Sequence, residues 1–445
     1  MGNIDAGLLN LVELSTVAWL LFWAGYSTFR LAKYHLRSVY VVLIVTFLLL
    51  GLPLLWDFLF GVPSYFTLPG MAPANTDFAS RLLYVLYLWM IPPIALIAAN
   101  GGVNKTTSPD SYTARQAGHA IAKGAAWIAA LSPFLAVLTS PSPRAYFVYG
   151  TVDHRYPHLA AGVSEYEFAR HHVLVTSACL ISTIAIAYLV YAHKGTLFTP
   201  LALSYLSILI FGVWVNGKRN AFAFSVFLIV MALWSRGTLK PKAVVTIGVS
   251  AVVALLMFSS WYQQDTRSAD TWSSELAYNN TRLDYGRDHT ARLAIYRLIH
   301  NDEKDILNYP GQSVIYYPLA MVPRSIWESK PPNYGMMVTS AALQDDNHFR
   351  GWILTTSWYD EAIANFGFAG FILGPGMLGL FCRVGDRKGP GILQMITMFA
   401  GALFVAVHLQ AFMPVFGLWL VIVIQSKNQD RKRLTRDYQI LPSGY

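Results

Sequence analysis

The stretch HVLVTSACLISTIAIAYLVYA, residues 172–192, contains no Asp, Glu, Lys or Arg. A helix of about 20 apolar residues is long enough to cross the hydrocarbon core of a bilayer. Comparable apolar runs recur on both sides of this stretch, and they predict about eleven spans, at 8–29, 39–60, 81–99, 121–139, 172–192, 197–215, 219–234, 243–260, 362–382, 392–409 and 412–425. The sequence therefore predicts an all-α polytopic membrane protein.

The composition of the whole chain agrees with this class. Of 445 residues, 55% are apolar and 13% are charged, whereas soluble domains carry about 25% charged residues. The mean hydropathy is +0.41. The net charge of +9 is read by its position, because basic loops orient membrane helices, and nucleic acid is not expected as a partner. Cys179 and Cys382 both fall in predicted spans, so no disulfide framework is expected.

The basic residues follow a regular pattern along the loops. Lys and Arg cluster after the odd-numbered spans from the first to the ninth, and again in the C-terminal tail. Because loops rich in these residues stay in the cytoplasm, the pattern predicts an N-terminus outside and a C-terminus inside. The chain is then a single membrane domain, 1–445, with an extracytoplasmic loop at 261–361 that contains short helices. A loop of this length is uncommon without a function.

Within this loop, a helix is predicted to start at Asp288 as its N-cap and to run through residue 300. Arg292 falls near the apolar edge of that helix. Two interpretations stay open. Either the helix lies on the lipid headgroups with its arginines outward, or Arg292 points into a site. Asp57 is predicted near the outer end of the second span, where a charge costs little.

Two cations stand at the start of the predicted seventh span. Lys218 and Arg219 follow Gly217, which permits a sharp turn. A helix N-terminus offers free N–H groups and the positive end of the dipole, so this turn is a candidate anion site. The alternative is a pair of cations that snorkel at the membrane boundary.

A second group of polar residues follows the apolar run at the end of the loop. Arg324 comes directly after a proline, Lys330 comes directly before one, and Trp327 lies between them. Prolines restrict the backbone, which would hold the two cations in place. The segment is too short to span and is predicted to be interfacial or re-entrant. Its alternative is an ordinary turn that lies against the membrane.

The acids Asp360 and Glu361 stand where the loop re-enters a hydrophobic span. A partly desolvated carboxylate at a membrane boundary can act as a general base. The alternative is a helix N-terminus that carries acids because they suit the helix dipole. No P-loop, dinucleotide-binding or metalloprotease motif is present, and we predict neither a cofactor nor a metal.

Three pieces of the chain, in order, resemble the bacterial oligosaccharide repeat-unit polymerases, the Wzy-type O-antigen and exopolysaccharide polymerases. The first is a glycine–cation turn that opens a span, Gly217–Arg219. The second is a Pro-Arg…Trp…Lys-Pro segment that closes the long loop, Pro323–Pro331. The third is an acid before an aromatic–glycine helix start, Glu361 with Asn365–Gly367. The resemblance covers about residues 210–380 and the overall topology. In the family a small residue precedes the acid, but this chain has Asp360 at that position. Both acids therefore stay candidates for the base.

The resemblance implies a GT-C-like glycosyltransferase in the bacterial cytoplasmic membrane, with its active site facing outside. Its donor and acceptor would be oligosaccharides linked to undecaprenyl diphosphate, with membrane lipids and optionally a chain-length regulator as further partners. Arg324 would be catalytic together with Glu361 or Asp360. The diphosphate and glycan would be bound by Lys218, Arg219, Arg292, Lys330 and Trp327. The reaction would be a direct displacement with inversion that needs no metal.

Two other functions stay open. A ligase that moves finished glycan to another acceptor, such as a lipid A core, would share the outer-face cations and the lipid-linked donor. A transporter or flippase for a lipid-linked sugar would instead show inverted repeats, broken helices and polar residues at mid-span. The charges of this chain concentrate in one predicted outer loop, which favours an enzyme.

Overall fold

The computed structural model describes residues 2–33, 35–63, 68–100, 116–147, 165–193, 199–217, 219–240, 242–248, 250–251, 253–254, 257, 278–279, 282–283, 285–300, 305–320, 322, 326–345, 353–387 and 391–425. Every regular element within these ranges is a helix. The predicted all-α class is therefore confirmed for the described residues.

The α-helices of the first half are α1 Gly2–Ala32, α2 Ser38–Thr46, α3 Leu52–Phe60, α4 Met71–Thr76, α5 Phe78–Ala99, α6 Gln116–Leu138, α7 Glu165–Ala192, α8 Pro200–Asn216 and α9 Arg219–Ser235. Those that follow are α10 Asp288–Ile299, α11 Gln312–Leu319, α12 Tyr334–Leu343, α13 Trp358–Phe366, α14 Gly370–Asp386 and α15 Ile392–Ala406, and α16 at 413–425. Shorter 3-10 helices lie at Pro143–Phe147, Gly367–Ala369 and Leu409–Phe412, and a π turn at Phe47–Gly51 joins α2 to α3.

Several of these helices have the length and composition of membrane spans. Among the described residues, five segments are long and apolar enough to cross a bilayer: Gly7–Ala32, Ser38–Phe60, Phe78–Ala99, His171–Ala192 and Trp358–Asp386. Large apolar side chains stand exposed on their outer faces, such as Leu11 at 65% and Phe22 at 59% in α1. Because lipid tolerates such surfaces and water does not, the chain is a helical, membrane-embedded protein.

The predicted number of eleven spans is only partly tested. Shorter apolar helices of 10–17 residues lie at the predicted positions of five others, 121–139, 197–215, 219–234, 392–409 and 412–425. The count of eleven, the orientation and the extent of the outer loop stay predictions. The segment predicted to start at residue 362 starts earlier, at Trp358, so Asp360 and Glu361 lie inside its first turn.

The chain divides into two compact units, of which the first comprises Met1–Val103, Gln264–Arg387 and Ala400–Met413. In this unit, α5 packs against α1 and α14, and α10 packs against α13. Trp89 of α5 stacks on Trp19 of α1 with ring centroids 4.8 Å apart. These contacts surround the segments that carry the polar residues described below.

Close packing of α5 against α14 depends on a glycine. A Cβ atom at Gly379 would lie 2.4 Å from the backbone oxygen of Ala95, so a side-chain rotation cannot relieve the clash. We expect Gly379→Ala to push the helices apart and to lower the free energy of unfolding by about 1–3 kcal/mol, as overpacked cores do. Thermal unfolding in detergent measures the loss.

The matched control for this prediction is Gly376→Ala in the same helix. Its Cβ would meet Ile94 Cγ2 at 3.8 Å, an ordinary van der Waals contact. The control removes the same backbone freedom without the clash. Equal melting temperatures for the two variants would contradict the packing argument.

A π turn interrupts the second span at Phe47–Gly51. Two of its carbonyls accept hydrogen bonds from outside the helix. Leu49 O accepts from the backbone N–H of Arg287 at 2.9 Å, and Leu50 O accepts from the Tyr84 hydroxyl at 3.2 Å. The segment that precedes α10 is therefore held against the middle of the second span.

The second unit comprises Asn104–Gln263, Lys388–Phe399 and Pro414–Tyr445. Its helices α6 and α7 pack together, with Ser182 Oγ donating to Ala130 O at 2.6 Å. Seven buried side chains form a cluster there: Ala136, Val137, Tyr146, Val175, Ala178, Cys179 and Val215. The predicted single membrane domain, 1–445, stays a prediction.

Candidate active site

The carboxylate of Glu361 is the centre of the candidate site. Glu361 lies in the first turn of α13 and is fully buried. Its Oε1 accepts a hydrogen bond from Ser313 Oγ at 2.5 Å and one from the Tyr317 hydroxyl at 2.6 Å. Its Oε2 is buried and has no hydrogen-bond partner within the described ranges. Because a buried polar atom without a partner is costly, Oε2 is the atom that a substrate group can complete.

The hydroxyl donors on Oε1 are themselves fixed in direction. Burial, and after it the Glu361 carboxylate, raises the pKa of the Tyr317 phenol well above its usual value, so Tyr317 keeps its proton and donates it. Asn365 donates from Nδ2 to Ser313 Oγ at 2.7 Å. A serine hydroxyl carries a single proton, so Ser313 directs that proton toward Glu361.

Asp360 has a different role in the same turn. Ser357 is the N-cap of α13, and its backbone N–H donates to Asp360 Oδ1 at 2.6 Å, as its hydroxyl does as well. The two residues form a capping box, which satisfies the free donors of a helix start. Asp360 therefore starts the helix through Oδ1, while its Oδ2, like Glu361 Oε2, is buried and has no hydrogen-bond partner among the described residues.

Lys330 lies beside α11. Its Nζ donates to the carbonyls of Ala320 and Val322 at 2.6 Å and 2.9 Å, just past the C-terminus of α11, where carbonyls attract cations. The same Nζ lies 5.4 Å from the ring centroid of Tyr316. Trp327 is half-buried, and its carbonyl accepts from the Lys330 N–H at 3.1 Å. The two carbonyls and the Tyr316 ring thus fix the position of the Lys330 ammonium group.

Glu361 and Lys330 both contact one helix, α11. Ser313, Tyr316 and Tyr317 have the spacing of residues on one helix face. Tyr317 holds Glu361, and the neighbouring Tyr316 holds Lys330. The structure therefore gathers two of the predicted site residues around one short helix.

A second polar centre of the first unit contains two arginines and two aspartates: Asp57, Arg282, Asp288 and Arg292. Arg282 is fully buried. Its Nε and Nη2 each donate to Asp57 at 2.8 Å, while Nη1 and Nη2 donate to Asp288 at 2.7 Å and 2.6 Å. The two guanidinium groups and the two carboxylates balance in charge, as buried charges require.

Arg292 belongs to this buried centre. Its Nη2 lies 3.8 Å from Asp57 and 3.6 Å from Asp288, and its Nη1 donates to Asn75 Oδ1 at 3.1 Å. Nine of the twelve residues of α10 are buried, so the alternative of a helix lying on the headgroups is wrong. The N-cap of α10 is Arg287 rather than Asp288. Substrate binding by Arg292 stays a prediction.

The prediction that a charge at Asp57 costs little free energy is also wrong. The Asp57 side chain is only 8% exposed, because helix packing around α3 encloses it. Its carboxylate is compensated by the two hydrogen bonds from Arg282. Sequence position near a span end does not reveal this burial.

We expect acid to destabilise this second centre. Burial raises the pKa of Asp288, but the Arg282 guanidinium outweighs burial and holds that pKa well below its usual value. Burial lowers the pKa of the adjacent His289 to about 3, against about 6.5 in an unfolded chain. As the pH falls below about 6.5, the unfolded chain binds a proton at His289 that the folded protein does not, so stability is lost. Below about 3.9, Asp288 adds to the loss.

Melting temperatures measured from pH 7 to pH 4 test this expectation. His289→Gln keeps a polar side chain but removes the titrating group, so its melting temperature is expected to fall less steeply over that range. Identical slopes for the two proteins would show that His289 does not contribute.

The remaining predicted residues are not placed at this site. Lys218 and Arg324 lie outside the described residues. Arg219 begins α9 in the second unit, and its backbone alone is described. The predicted roles of these three cations stay predictions.

No protein-family model matches the chain, and no curated protein or solved structure matches it either. The function is therefore argued from the geometry of the site.

Two site residues escaped the sequence reasoning. Neither Ser313 nor Tyr317 is singled out from the sequence. The spacing of Ser313, Tyr316 and Tyr317 was a usable signal, because hydroxyls at i, i+3 and i+4 share a helix face. The pairing of Arg282 with Asp57 spans 225 positions and has no comparable local signal.

Proposed function

We propose that the chain is a membrane glycosyltransferase. It joins oligosaccharide repeat units carried on polyprenyl diphosphate, at the outer face of the cytoplasmic membrane, in the synthesis of a surface polysaccharide. The observation that carries the proposal is the state of Glu361, which is buried at the start of a membrane-spanning segment. Its Oε1 is held by two hydroxyls, and its Oε2 has no hydrogen-bond partner among the residues that the structure describes. A carboxylate in this state is suited to accept a proton from a substrate hydroxyl.

In the proposed reaction, Glu361 Oε2 takes the proton of an acceptor sugar hydroxyl. The acceptor oxygen bonds to the anomeric carbon of the donor, and the bond from that carbon to the diphosphate oxygen breaks. The electron pair leaves with the lipid diphosphate. The proton on Glu361 is afterwards released to water. The displacement occurs once, so the anomeric configuration inverts.

Cations stabilise the charge that develops on the leaving diphosphate, as preorganised electrostatics does in other transfer reactions. Lys330 is the cation that contacts α11, the helix that also contacts Glu361. In this proposal Arg324 acts directly on the leaving group, and Trp327 takes part in binding the glycan. Arginine suits such a group because its planar fork matches phosphate oxygens.

The structure of the first turn of α13 favours Glu361 over Asp360 as the base. The Oδ1 atom of Asp360 is used by the capping box with Ser357, which ties that carboxylate to the helix start. Glu361 makes no contact of that kind with the helix start, since its side-chain hydrogen bonds come from another helix, α11.

The experiment that tests the proposal uses purified protein in detergent. A lipid-diphosphate-linked repeat unit is added without nucleotide, and the products are resolved on a gel. We expect a ladder of glycan lengths. Donor consumption only after addition of a different acceptor, such as a lipid A core, would establish the ligase instead. No turnover with a matched repeat unit, together with uptake or flipping of it in proteoliposomes, would establish a transporter.

A further inference from the structure

The hydrogen bonds around Glu361 have a single consistent direction. Asn365 accepts from the Ser313 backbone N–H through Oδ1 at 3.3 Å and donates through Nδ2 to Ser313 Oγ at 2.7 Å. Its Nδ2 also donates to the Glu361 backbone carbonyl at 2.7 Å. These contacts fix which end of the amide faces which group. The Ser313 oxygen then accepts from Asn365, so its one proton is available only to Glu361.

Both side-chain donors reach the same oxygen of Glu361. Ser313 and Tyr317 lie on one face of α11, four residues apart, and both donate to Oε1. Charge-assisted bonds of this length are stronger than neutral ones. The carboxylate is consequently held in one orientation, with Oε2 as the oxygen left over.

We propose that Ser313, Tyr317 and Asn365 are positioning residues, which orient Glu361 so that Oε2 alone meets the acceptor hydroxyl. This inference rests on the proposed function for its consequence in catalysis, but the orientation itself is a property of the protein without substrate. A base misplaced by about 1 Å can cost about 100-fold in rate. The three residues therefore act through Glu361 and need not touch the sugar.

The inference has a readout that does not depend on activity. Infrared difference spectra between the protein and Glu361→Gln isolate the carboxyl stretching bands of Glu361. We expect these bands to shift in Tyr317→Phe and in Ser313→Ala, because each variant removes one donor from Oε1. Tyr309→Phe is the matched control, since it removes the same phenol hydroxyl from a tyrosine that is 47% exposed. Unchanged Glu361 bands in both Tyr317→Phe and Ser313→Ala would overturn the inference, whatever the polymer assay gives.

Steady-state kinetics give the second measurement. In Tyr317→Phe we expect kcat to fall about 10- to 100-fold with KM within about threefold of the parent value, because the base is misoriented while substrate contacts remain. Ser313→Thr retains a hydroxyl and is expected to recover most of the activity lost in Ser313→Ala. A loss confined to KM would overturn the positioning role.

The two proposals fail in different ways. Shifted infrared bands in a protein that makes no polymer from matched substrate would support the orientation of Glu361 and overturn the glycosyltransferase. A glycan ladder together with unshifted bands would support the glycosyltransferase and overturn the proposed orientation of Glu361. A circular dichroism melt of each variant separates these outcomes from simple misfolding, and Asn365→Leu tests the network from its other end.

Discussion

Glu361→Gln is expected to remove polymer formation while the protein stays folded in the membrane. The amide keeps the size of the side chain and can still accept from Ser313 and Tyr317, so the packing of α13 survives. It cannot take a proton at neutral pH, and general bases contribute about 100- to 10,000-fold to rate. The glycan ladder assay, run with equal amounts of folded protein, measures the loss.

The matched control is Asp360→Asn, which removes a carboxylate one position away. Its Oδ1 can still accept from Ser357, so the capping box is retained. We expect this variant to keep most of its activity. The opposite result, an inactive Asp360→Asn beside an active Glu361→Gln, would move the base to Asp360 and reject the assignment made from the hydrogen bonds.

Arg282→Met is expected to destabilise the protein by about 3–5 kcal/mol, the cost of breaking a buried ion pair by removing one partner. Methionine fills a similar volume, so lost packing contributes little. The cost arises because Asp57 and Asp288 lose four hydrogen bonds to one guanidinium and remain buried. Thermal and denaturant unfolding in detergent measure the change.

Two further variants show whether charge is the cause. Arg81→Met breaks the pair between Arg81 and Glu13, in which the two side chains are 17% and 15% exposed. Solvent screens these charges more than those at Arg282, so a smaller loss is expected. The triple variant Arg282→Met with Asp57→Asn and Asp288→Asn removes the stranded carboxylates and is expected to recover part of the stability. An Arg81→Met loss as large as that of Arg282→Met would contradict the burial argument.

The hydropathy of the sequence predicts most of the helices because the bilayer acts on each span separately. The hydropathy pattern places the start of the segment at residue 362, whereas the structure starts it at Trp358. The pattern measures transfer into lipid, so it leaves the two acids outside the span. Asp360 and Glu361 are costly in lipid but acceptable in a protein interior where Ser357 and the α11 hydroxyls satisfy them. The sequence therefore singles out these two acids but places them at the membrane boundary, whereas the structure buries both.

The second centre was harder to predict for a different reason. The pairing of Arg282 with Asp57 depends on how the first-unit helices pack, and no local pattern encodes that packing. From the sequence, Arg292 is predicted to bind substrate or lipid phosphate, because the sequence shows a cation on a helix. It does not show the two aspartates that face this cation in the structure. Long-range ion pairs of this kind become visible only in three dimensions.

The π turn of the second span has a consequence for biogenesis. The ribosome delivers that span to the membrane long before it makes Arg287, whose N–H bonds the Leu49 carbonyl in the finished protein. In lipid an unbonded carbonyl costs several kcal/mol, so a regular α-helix, which bonds its carbonyls internally, is the cheaper form in the interval. We therefore expect the newly inserted span to enter as a regular α-helix and to acquire its π turn only when the arriving segment donates the Arg287 N–H to Leu49 O.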